Sequence, residues 1–249
     1  MAKEKRRLDL LLQERYPQYS RQQLQSWIMQ ARVTVAGGVV TKAGQAIPVD
    51  ADIQLSVQEP KFVGRAGFKL EKALDHFDID VQGLVALDAG LSTGGFTDCL
   101  LQRGVKKVYG VDVGYGQVHE KIRNDSRVIV RERTNLRTLS REELGELVDL
   151  VTLDLSFISL LKVMDAVESV LKEGGALITL IKPQFEAGKE QVGRGGIIKD
   201  PQVHEQVVRT VTQGIVARGF ECKGVTDSPI AGADGNKEFL AYFIKKKPA

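Results

Sequence analysis

The strongest constraint on the fold is a regular alternation of strand-like and helix-like stretches along residues 64–249. Five runs have the length and apolar character of buried strands: Leu84–Asp88, Lys107–Val111, Val128–Glu132, Val148–Leu153 and Ala176–Ile181. Helical stretches such as Phe96–Gln102 and Leu160–Leu171 separate them. Strands that alternate with helices pair in parallel, so this pattern predicts an α/β domain whose sheet is covered on both faces.

Residues 201–244 predict that one edge of this sheet is antiparallel. A helix is expected from Pro201 to about Arg218, because Asp200 is a suitable N-cap and proline suits the first helical position. Strands are then expected at Phe220–Thr226 and Phe239–Ile244. The turn-rich stretch between them is typical of an antiparallel hairpin.

Residues 1–58 have another pattern and predict a small αβ domain. Leu8–Leu12 is typical of a short helix, and Ser20 is a suitable N-cap for a second helix that ends near Ala31. Short strands are expected at Val33–Val35, Val39–Thr41 and Ile53–Val57. We expect residues 59–63 to link this domain to a larger one at 64–249.

Composition argues against a zinc-binding protein, a disulfide-rich protein and a membrane protein. Hydrophobic residues make up 43% of the 249 residues and charged residues 27%, as in soluble globular proteins. Cys99 and Cys222 are too far apart in sequence for a zinc motif, and two cysteines do not make a disulfide framework. We therefore expect no metal. No secretory signal and no apolar run of about 20 residues is visible, so we expect a soluble cytoplasmic protein without membrane partners.

A glycine-rich segment, Asp88–Asp98, joins the first strand of the sheet to a helix. In open α/β sheets this position faces the crevice where ligands bind. The spacing of Gly90, Gly94 and Gly95 does not fit the dinucleotide pattern, and no lysine follows Gly95 as a phosphate-binding loop requires. The acidic Asp88 favours a cationic or zwitterionic ligand such as S-adenosylmethionine. The alternative is a structural turn without a ligand.

Asp112 follows about twenty residues later, at the end of the next predicted strand. A carboxylate at that position can accept hydrogen bonds from both hydroxyls of an adenosine ribose. We therefore expect S-adenosylmethionine to contact the following residues: Asp88, Gly90, Ser92, Thr93, Gly94, Gly95, Phe96 and Asp112.

Five sequence blocks, in order along the chain, point to a known family. They are G-R-A-G-F-K-L at 64–70, D-A-G-L-S-T-G-G-F-T-D at 88–98, D-L-S-F-I-S-L at 154–160, I-K-P-Q-F-E at 181–186 and N-K-E-F-L at 236–240. With these blocks the chain resembles the TlyA family, often named hemolysin A. In that family an N-terminal S4-type RNA-binding domain precedes an FtsJ-like methyltransferase domain with a Rossmann-like sheet. The resemblance implies 2′-O-methylation of cytidine ribose in ribosomal RNA, 16S and/or 23S, within ribosomal subunits.

The resemblance also implies a catalytic tetrad, which falls on Lys69, Asp154, Lys182 and Glu238. A ribose hydroxyl is a weak nucleophile, so a neighbouring group must accept its proton or stabilise negative charge on its oxygen. Lys182 can act as the base, or as an electrostatic stabiliser if it keeps its proton. Asp154 and Glu238 would hold the two lysines by salt bridges.

Basic and amide side chains are the candidates for RNA contacts, because the phosphate backbone attracts positive charge. They are Arg6, Arg7, Arg21, Gln22, Gln25, Arg32, Arg65, Lys189 and Arg194. The glycine-rich stretch Phe185–Lys199 either folds over the RNA backbone or is an ordinary surface loop.

Three other functions compete with the methyltransferase. A non-catalytic RNA-binding protein is disfavoured by the complete tetrad and glycine loop. A membrane-lytic hemolysin is disfavoured because neither a spanning segment nor a basic amphipathic helix is visible. A nicotinamide-dependent oxidoreductase is disfavoured by the glycine spacing. The target subunit and the oligomeric state stay open.

Overall fold

The computed structural model describes residues 4–56, 60–232 and 235–247, apart from the side chains of Lys189 and Arg194. It divides into two compact units, Met1–Pro60 and Lys61–Ala249. This division falls within the linker that the sequence predicts at 59–63.

The first unit contains short strands and two helices. In chain order they are β1 (Lys5–Arg7), α1 (Leu8–Arg15), α2 (Arg21–Met29), β2 (Val33–Val35), β3 (Gly38–Val39), β4 (Ala46–Pro48) and β5 (Ile53–Leu55). Strands β1 and β4 pair with each other, and β2 lies between β3 and β5. Ser20 caps α2 as predicted: its side chain accepts a hydrogen bond from Gln23 N, and the Gln23 side chain accepts one from Ser20 N. Helix α2 ends before the predicted Ala31, because Ala31 has a φ of +60°.

The core of this unit is built from one face of each helix. Leu8 and Leu12 are one helical turn apart on α1, and Leu24 and Ile28 are one turn apart on α2. All four side chains are fully buried together with Val33 of β2. Their burial is the main source of stability for so small a unit.

The second unit alternates helices and strands. Its elements are α3 (Ala66–His76), β6 (Val85–Ala89), α4 (Gly95–Gln102), β7 (Lys107–Val111), α5 (Glu120–Arg123), β8 (Val128–Arg131), α6 (Arg141–Leu144), β9 (Val148–Leu153), α7 (Met164–Val170), β10 (Leu171–Ile181), α8 (Pro183–Glu186), α9 (Pro201–Ala217), β11 (Phe220–Asp227) and β12 (Phe239–Lys245). Short 3-10 segments lie at Leu136–Thr138, Leu160–Val163, Lys189–Gln191 and Arg194–Gly196.

The strands of this unit form one sheet in the order β11-β12-β10-β9-β6-β7-β8. Neighbours from β10 to β8 pair in parallel, and β12 pairs antiparallel with both β10 and β11. The predicted α/β class and its antiparallel edge are confirmed. Several element boundaries differ from the prediction by one residue, and two differ by more. The strand predicted from Ala176 begins at Leu171, with a register shift between these two residues, and the helix predicted over Leu160–Leu171 is α-helical from Met164 to Val170.

Two apolar cores cover the two faces of the sheet. Leu150 and Val151 are neighbours on β9, yet each enters a different core because successive strand residues point to opposite faces. The first core packs helices α7 and α9 against the sheet, and the second packs α3 and α4. Both faces are therefore closed, and the ends of the strands are left for ligands.

Parallel pairing places the carboxyl ends of β6, β7, β9 and β10 at one edge of the sheet. The residues that follow these strands are Gly90, Asp112, Asp154 and Lys182. The antiparallel β12 begins at the same edge, since Phe239 pairs with Ile181 at the end of β10. The residue before β12 is Glu238, so residues from five strands meet there.

Candidate functional site

The glycine loop approaches the end of β9 so closely that a side chain would not fit. Gly90 has a φ of +89°, and a Cβ built on it would lie 2.3 Å from the backbone oxygen of Asp154. The backbone N–H of Asp154 donates a hydrogen bond to Ala89 O at 3.0 Å. Gly90 therefore allows the chain to turn out of β6 while Asp154 stays against it.

A cleft of about 720 Å³ opens beside this contact, within the size range of small-molecule sites. Asp112 lies in its wall, and its two carboxylate oxygens accept hydrogen bonds from the backbone N–H groups of Ser92 and Gly114, each at 2.7 Å. Each oxygen has a further lone pair. Asp112 is thus held in place and can still accept two more donors, such as the hydroxyls of a ribose.

Other parts of the cleft wall were not predicted from the sequence. The stretch Thr134–Leu136 follows β8, and the stretch Leu155–Ser159 follows β9. The side chain of Asn135 accepts a hydrogen bond from Arg137 N at 3.1 Å and so caps the short 3-10 turn there. Leu155–Ser159 belong to the sequence block at 154–160, and the sequence signal for Thr134–Leu136 is their position just after a predicted strand, at the edge where ligands bind.

Asp88 does not line the cleft. Its carboxylate is fully buried and accepts hydrogen bonds from Thr97 Oγ1 at 2.7 Å and Thr152 Oγ1 at 3.0 Å. Burial raises the pKa of Asp88 to about 6, with a smaller contribution from the charge of Asp154. The carboxylates that line the cleft are instead Asp112 and Asp154.

The remaining loop residues pack under the cleft rather than along it. A Cβ on Gly94 would meet Ile122 Cγ1 at 2.8 Å, and one on Gly95 would meet the backbone N of Gly67 at 3.0 Å. Thr93 O accepts a hydrogen bond from His119 N, and Phe96 is buried in the core. Gly95 lets the start of α4 lie against the start of α3, the helix that carries Lys69.

The four tetrad residues form two ion pairs. Lys182 Nζ lies 2.7 Å from Asp154 Oδ1 and 3.1 Å from Ser156 Oγ. Lys69 Nζ lies 2.5 Å from Glu238 Oε2. Both lysines are only 8% exposed.

The strand register brings the two ion pairs together. Ile181 pairs with Phe239 in the antiparallel β10–β12 ladder, so the next position outward sets Lys182 opposite Glu238. Buried ion pairs are costly to desolvate and contribute little net stability. Two of them at the ligand-binding edge of a sheet indicate a chemical role.

An aromatic pair forms part of the cleft rim. Phe157 is 90% exposed and has a φ of +64°, which is uncommon for a bulky residue. Its ring lies 4.9 Å from the ring of Phe185, centroid to centroid. Glu186 follows and accepts a hydrogen bond from Leu160 N at 2.8 Å, and burial raises the pKa of its carboxyl group. This contact ties α8 to the rim.

The candidate RNA-binding residues of the first unit are partly engaged with each other. Arg7, Arg21 and Gln25 all donate hydrogen bonds to the carboxylate of Asp9, which is fully buried. These hydrogen bonds, with that from Arg7 the largest contributor, hold the pKa of Asp9 well below its usual range. The two guanidinium groups stay about half exposed.

The other candidates differ in their surroundings. Arg6 forms an ion pair with Glu14. Three further residues are exposed: Gln22, Arg32 and Arg65. The side chains of Lys189 and Arg194 lie outside the described residues.

Neither a metal site nor a membrane span was found in the part of the chain that the structure describes. No group of three or more histidine, cysteine, aspartate or glutamate side chains there is arranged to hold a metal ion. No helix in those ranges has the length and apolar character needed to cross a bilayer.

Comparisons with known proteins match both units. A model of the FtsJ-like methyltransferases matches residues 62–245, and a model of the S4 domain matches residues 6–53. The chain is 42% identical to the 16S/23S rRNA (cytidine-2′-O)-methyltransferase TlyA of Mycobacterium tuberculosis, over 95% of this chain and 88% of that protein. It is also 42% identical to YqxC of Bacillus subtilis, provisionally named an rRNA methyltransferase, over 97% of this chain and 86% of that protein.

A solved structure from Streptococcus thermophilus, provisionally named a hemolysin, is similar along the whole length. It is 40% identical with a TM-score of 0.75, and the match covers 99% of this chain and 90% of the other.

Proposed function

The chain belongs to the FtsJ-like methyltransferase family and carries an S4 domain, and from this premise we propose that it methylates the 2′-hydroxyl of a cytidine ribose in ribosomal RNA, with S-adenosylmethionine as the donor. A relative named for this activity matches 95% of the chain. Both units of the protein therefore support this substrate class.

The observation that carries the proposal is the ion pair between Lys182 and Asp154 at the wall of the cleft. Asp154 belongs to both features, since it lines the cleft and lies 2.7 Å from Lys182. A hydroxyl brought to Lys182 would thus lie next to whatever occupies the cleft. This arrangement suits the transfer of a group from a bound donor to a hydroxyl.

The residues of the cleft fit S-adenosylmethionine. Asp112 can accept hydrogen bonds from the ribose hydroxyls, and Thr134–Leu136 provide a wall for a flat base. Of the two carboxylates in the wall, Asp154 is paired with Lys182, so Asp112 is the one that meets donors of a bound ligand. When bound, this donor supplies an electrophilic methyl group on a positively charged sulfur.

The protein's contribution to the reaction is alignment and charge. As the hydroxyl oxygen bonds to the methyl carbon, the carbon–sulfur bond breaks and the hydroxyl proton must leave. Lys182 Nζ takes that proton if it is neutral. If it is an ammonium group, it stabilises the negative charge on the oxygen and the proton passes to solvent. Asp154 and Ser156 hold Nζ in position for either role.

We assign recognition of the RNA to the S4 domain and its half-exposed arginines. Phosphate contacts by Arg7 and Arg21 would make the affinity for RNA fall steeply with salt. An affinity that does not change between low and physiological salt would contradict this assignment.

The test is transfer of labelled methyl to isolated small and large ribosomal subunits, with Lys182→Ala and Lys172→Ala compared with the wild type. Lys172 is a matched control because it is the second residue of β10, at the opposite end of the strand from Lys182, and because it is half exposed and pairs with Asp149. We expect label in the RNA at a site that resists alkaline cleavage, reduced about 100-fold or more in Lys182→Ala and unchanged in Lys172→Ala.

Label on the small subunit would identify 16S rRNA as the target, and label on the large subunit would identify 23S rRNA. Measurable binding of S-adenosylmethionine without label on either subunit would contradict the proposed substrate. Equal rates in Lys182→Ala and the wild type would contradict the proposed site.

A further inference from the structure

The side chain of Asn236 forms hydrogen bonds with the backbone of a distant part of the chain. It is 3% exposed and lies two residues before Glu238. Its Nδ2 donates a hydrogen bond to Gly196 O at 2.9 Å, and its Oδ1 accepts one from Ile198 N at 3.1 Å. One amide group thus satisfies a backbone acceptor and a backbone donor, as a neighbouring strand would.

The segment that Asn236 holds is the stretch 187–199, here named the 187–199 loop. It leaves the sheet edge through α8, directly after Lys182. Asn236, which lies shortly before β12, bonds to the other end of the loop at Ile198. One end of the loop thus follows Lys182 through α8, and the other is bonded to Asn236, two residues before Glu238.

A second contact holds the same point of the loop. His204 Nε2, on the first turn of α9, lies 3.0 Å from Ile198 O. Ile198 is 3% exposed and His204 is 9% exposed. The backbone N–H and C=O of Ile198 are therefore both bonded to buried side chains, the N–H to Asn236 and the C=O to His204.

Elsewhere the described part of the loop is shaped by short-range hydrogen bonds, such as that from Gly193 N to Ile197 O at 3.2 Å, and by a contact of Gln191 with Gln206 on α9. Gly195 and Gly196 have φ values of +76° and +75°, and a Cβ built on either would meet nothing within 4 Å. Glycines in open surroundings leave many backbone conformations accessible. The conformation of this loop thus depends strongly on the anchors at its end.

We propose that Asn236 is a positioning residue, which holds the 187–199 loop against the Glu238 end of the tetrad as the wall that receives the acceptor nucleotide of the RNA. The inference rests on the proposed function. Among the described residues of this part of the chain, Phe185 lines the donor cleft and none of residues 187–199 does. Asn236 therefore sets the placement of the RNA and not the affinity for S-adenosylmethionine.

The substitution Asn236→Asp tests this with the least change in shape. The new carboxylate can accept from Ile198 N but cannot donate to Gly196 O, so two acceptors would face each other. We expect the KM for RNA to rise or kcat to fall by about tenfold. The Kd for S-adenosylmethionine should stay within about twofold of the wild type. His204→Leu removes the second anchor and should act in the same direction.

Ser228→Ala is the matched control. It removes a side-chain hydrogen bond to Ile230 O in the same β11–β12 connection, without touching the loop. It should leave all constants unchanged. Trypsin, which cuts after Lys189, Arg194 and Lys199, gives a readout independent of activity: cleavage in the loop should be faster in Asn236→Asp and His204→Leu than in Ser228→Ala.

The outcomes separate this inference from the proposed function. Wild-type values of the RNA KM, kcat and tryptic cleavage in Asn236→Asp would overturn the role of Asn236. Affinity for S-adenosylmethionine that falls in parallel with transfer would also overturn it, since the effect would then be global. Failure of the proposed function would appear instead as no transfer to RNA by the wild type.

Discussion

Gly90→Ala tests the close contact between the glycine loop and the end of β9. Two penalties act at this position. The φ of +89° is unfavourable for alanine by about 1–2 kcal/mol. In addition, the new Cβ would lie 2.3 Å from Asp154 O, about 1 Å closer than ordinary van der Waals contact allows. The Asp154 oxygen is a backbone atom and the new Cβ is bonded directly to Cα, so neither can rotate away. The loop or Asp154 must therefore move.

That movement would reach the catalytic lysine, because Asp154 is the ion-pair partner of Lys182. A displacement of about 1 Å in a catalytic group can reduce the rate about 100-fold. We therefore expect Gly90→Ala to lose about 100-fold in kcat/KM for methyl transfer. Its affinity for S-adenosylmethionine should also fall, since Gly90 lines the cleft.

Gly83→Ala is the matched control. Gly83 has a φ of +75° in the turn before β6, and a Cβ built on it would meet nothing within 4 Å. It therefore carries the conformational penalty without the collision. Gly83→Ala should lower the melting temperature by about 2–8 °C, from about 1–2 kcal/mol in a unit of this size, and Gly90→Ala should lower it further because of the collision.

The assay is the initial rate of methyl transfer to ribosomal subunits, with thermal unfolding measured on the same samples. Only Gly90→Ala should lose activity beyond what its stability explains. The reasoning is refuted if Gly90→Ala and Gly83→Ala differ by less than about threefold in kcat/KM while both are folded.

Three further predictions concern buried or cleft carboxylates. Asp112→Asn places an NH₂ group against a backbone N–H, so titration calorimetry should show an affinity for S-adenosylmethionine about 10- to 100-fold lower, with the KM for RNA unchanged. Asp9→Asn should destabilise the first unit by about 1–3 kcal/mol in thermal unfolding. Because the pKa of Asp9 is lowered in the folded protein, its stabilising effect is present at neutral pH and is lost as pH falls below about 4; unfolding of that unit that is insensitive to pH from 5 to 2 would contradict this. Asp88 has the opposite sign: its pKa is raised to about 6, so the free energy of unfolding should fall as pH rises from about 4 to 6, and Asp88→Asn should abolish that slope.

Much of the fold can be predicted from the sequence because the buried strands are continuous apolar runs. Strands β7 and β9 begin and end at the predicted residues, since both faces of a parallel sheet must be covered. Strands β1 and β4 could not be predicted. Each is three residues long, and their pairing joins residues about forty positions apart, which no local pattern shows.

The candidate site was predictable only in part. The edge of the sheet where ligands bind follows from the parallel topology, so residues after the strands are sound candidates. Which of them face the cleft depends on the direction of each side chain at the strand end. Asp88 is the last but one residue of β6 and points to two threonines, whereas Gly90 and Asp112 lie beyond their strands and line the cleft.

The sequence by itself determined the two-part organisation, the α/β class and the family, because these depend on periodicity and on short blocks of adjacent residues. The resemblance supplied the four tetrad charges, but only the tertiary structure decided which carboxylate meets which lysine. Lys69 and Glu238 are 169 residues apart, and their contact exists because β12 runs antiparallel to β10 and starts where β10 ends. It also decided that Asn236 holds a loop some forty residues away. Such contacts depend on strand order and register, which are set by the packing of the whole core and not by any single segment.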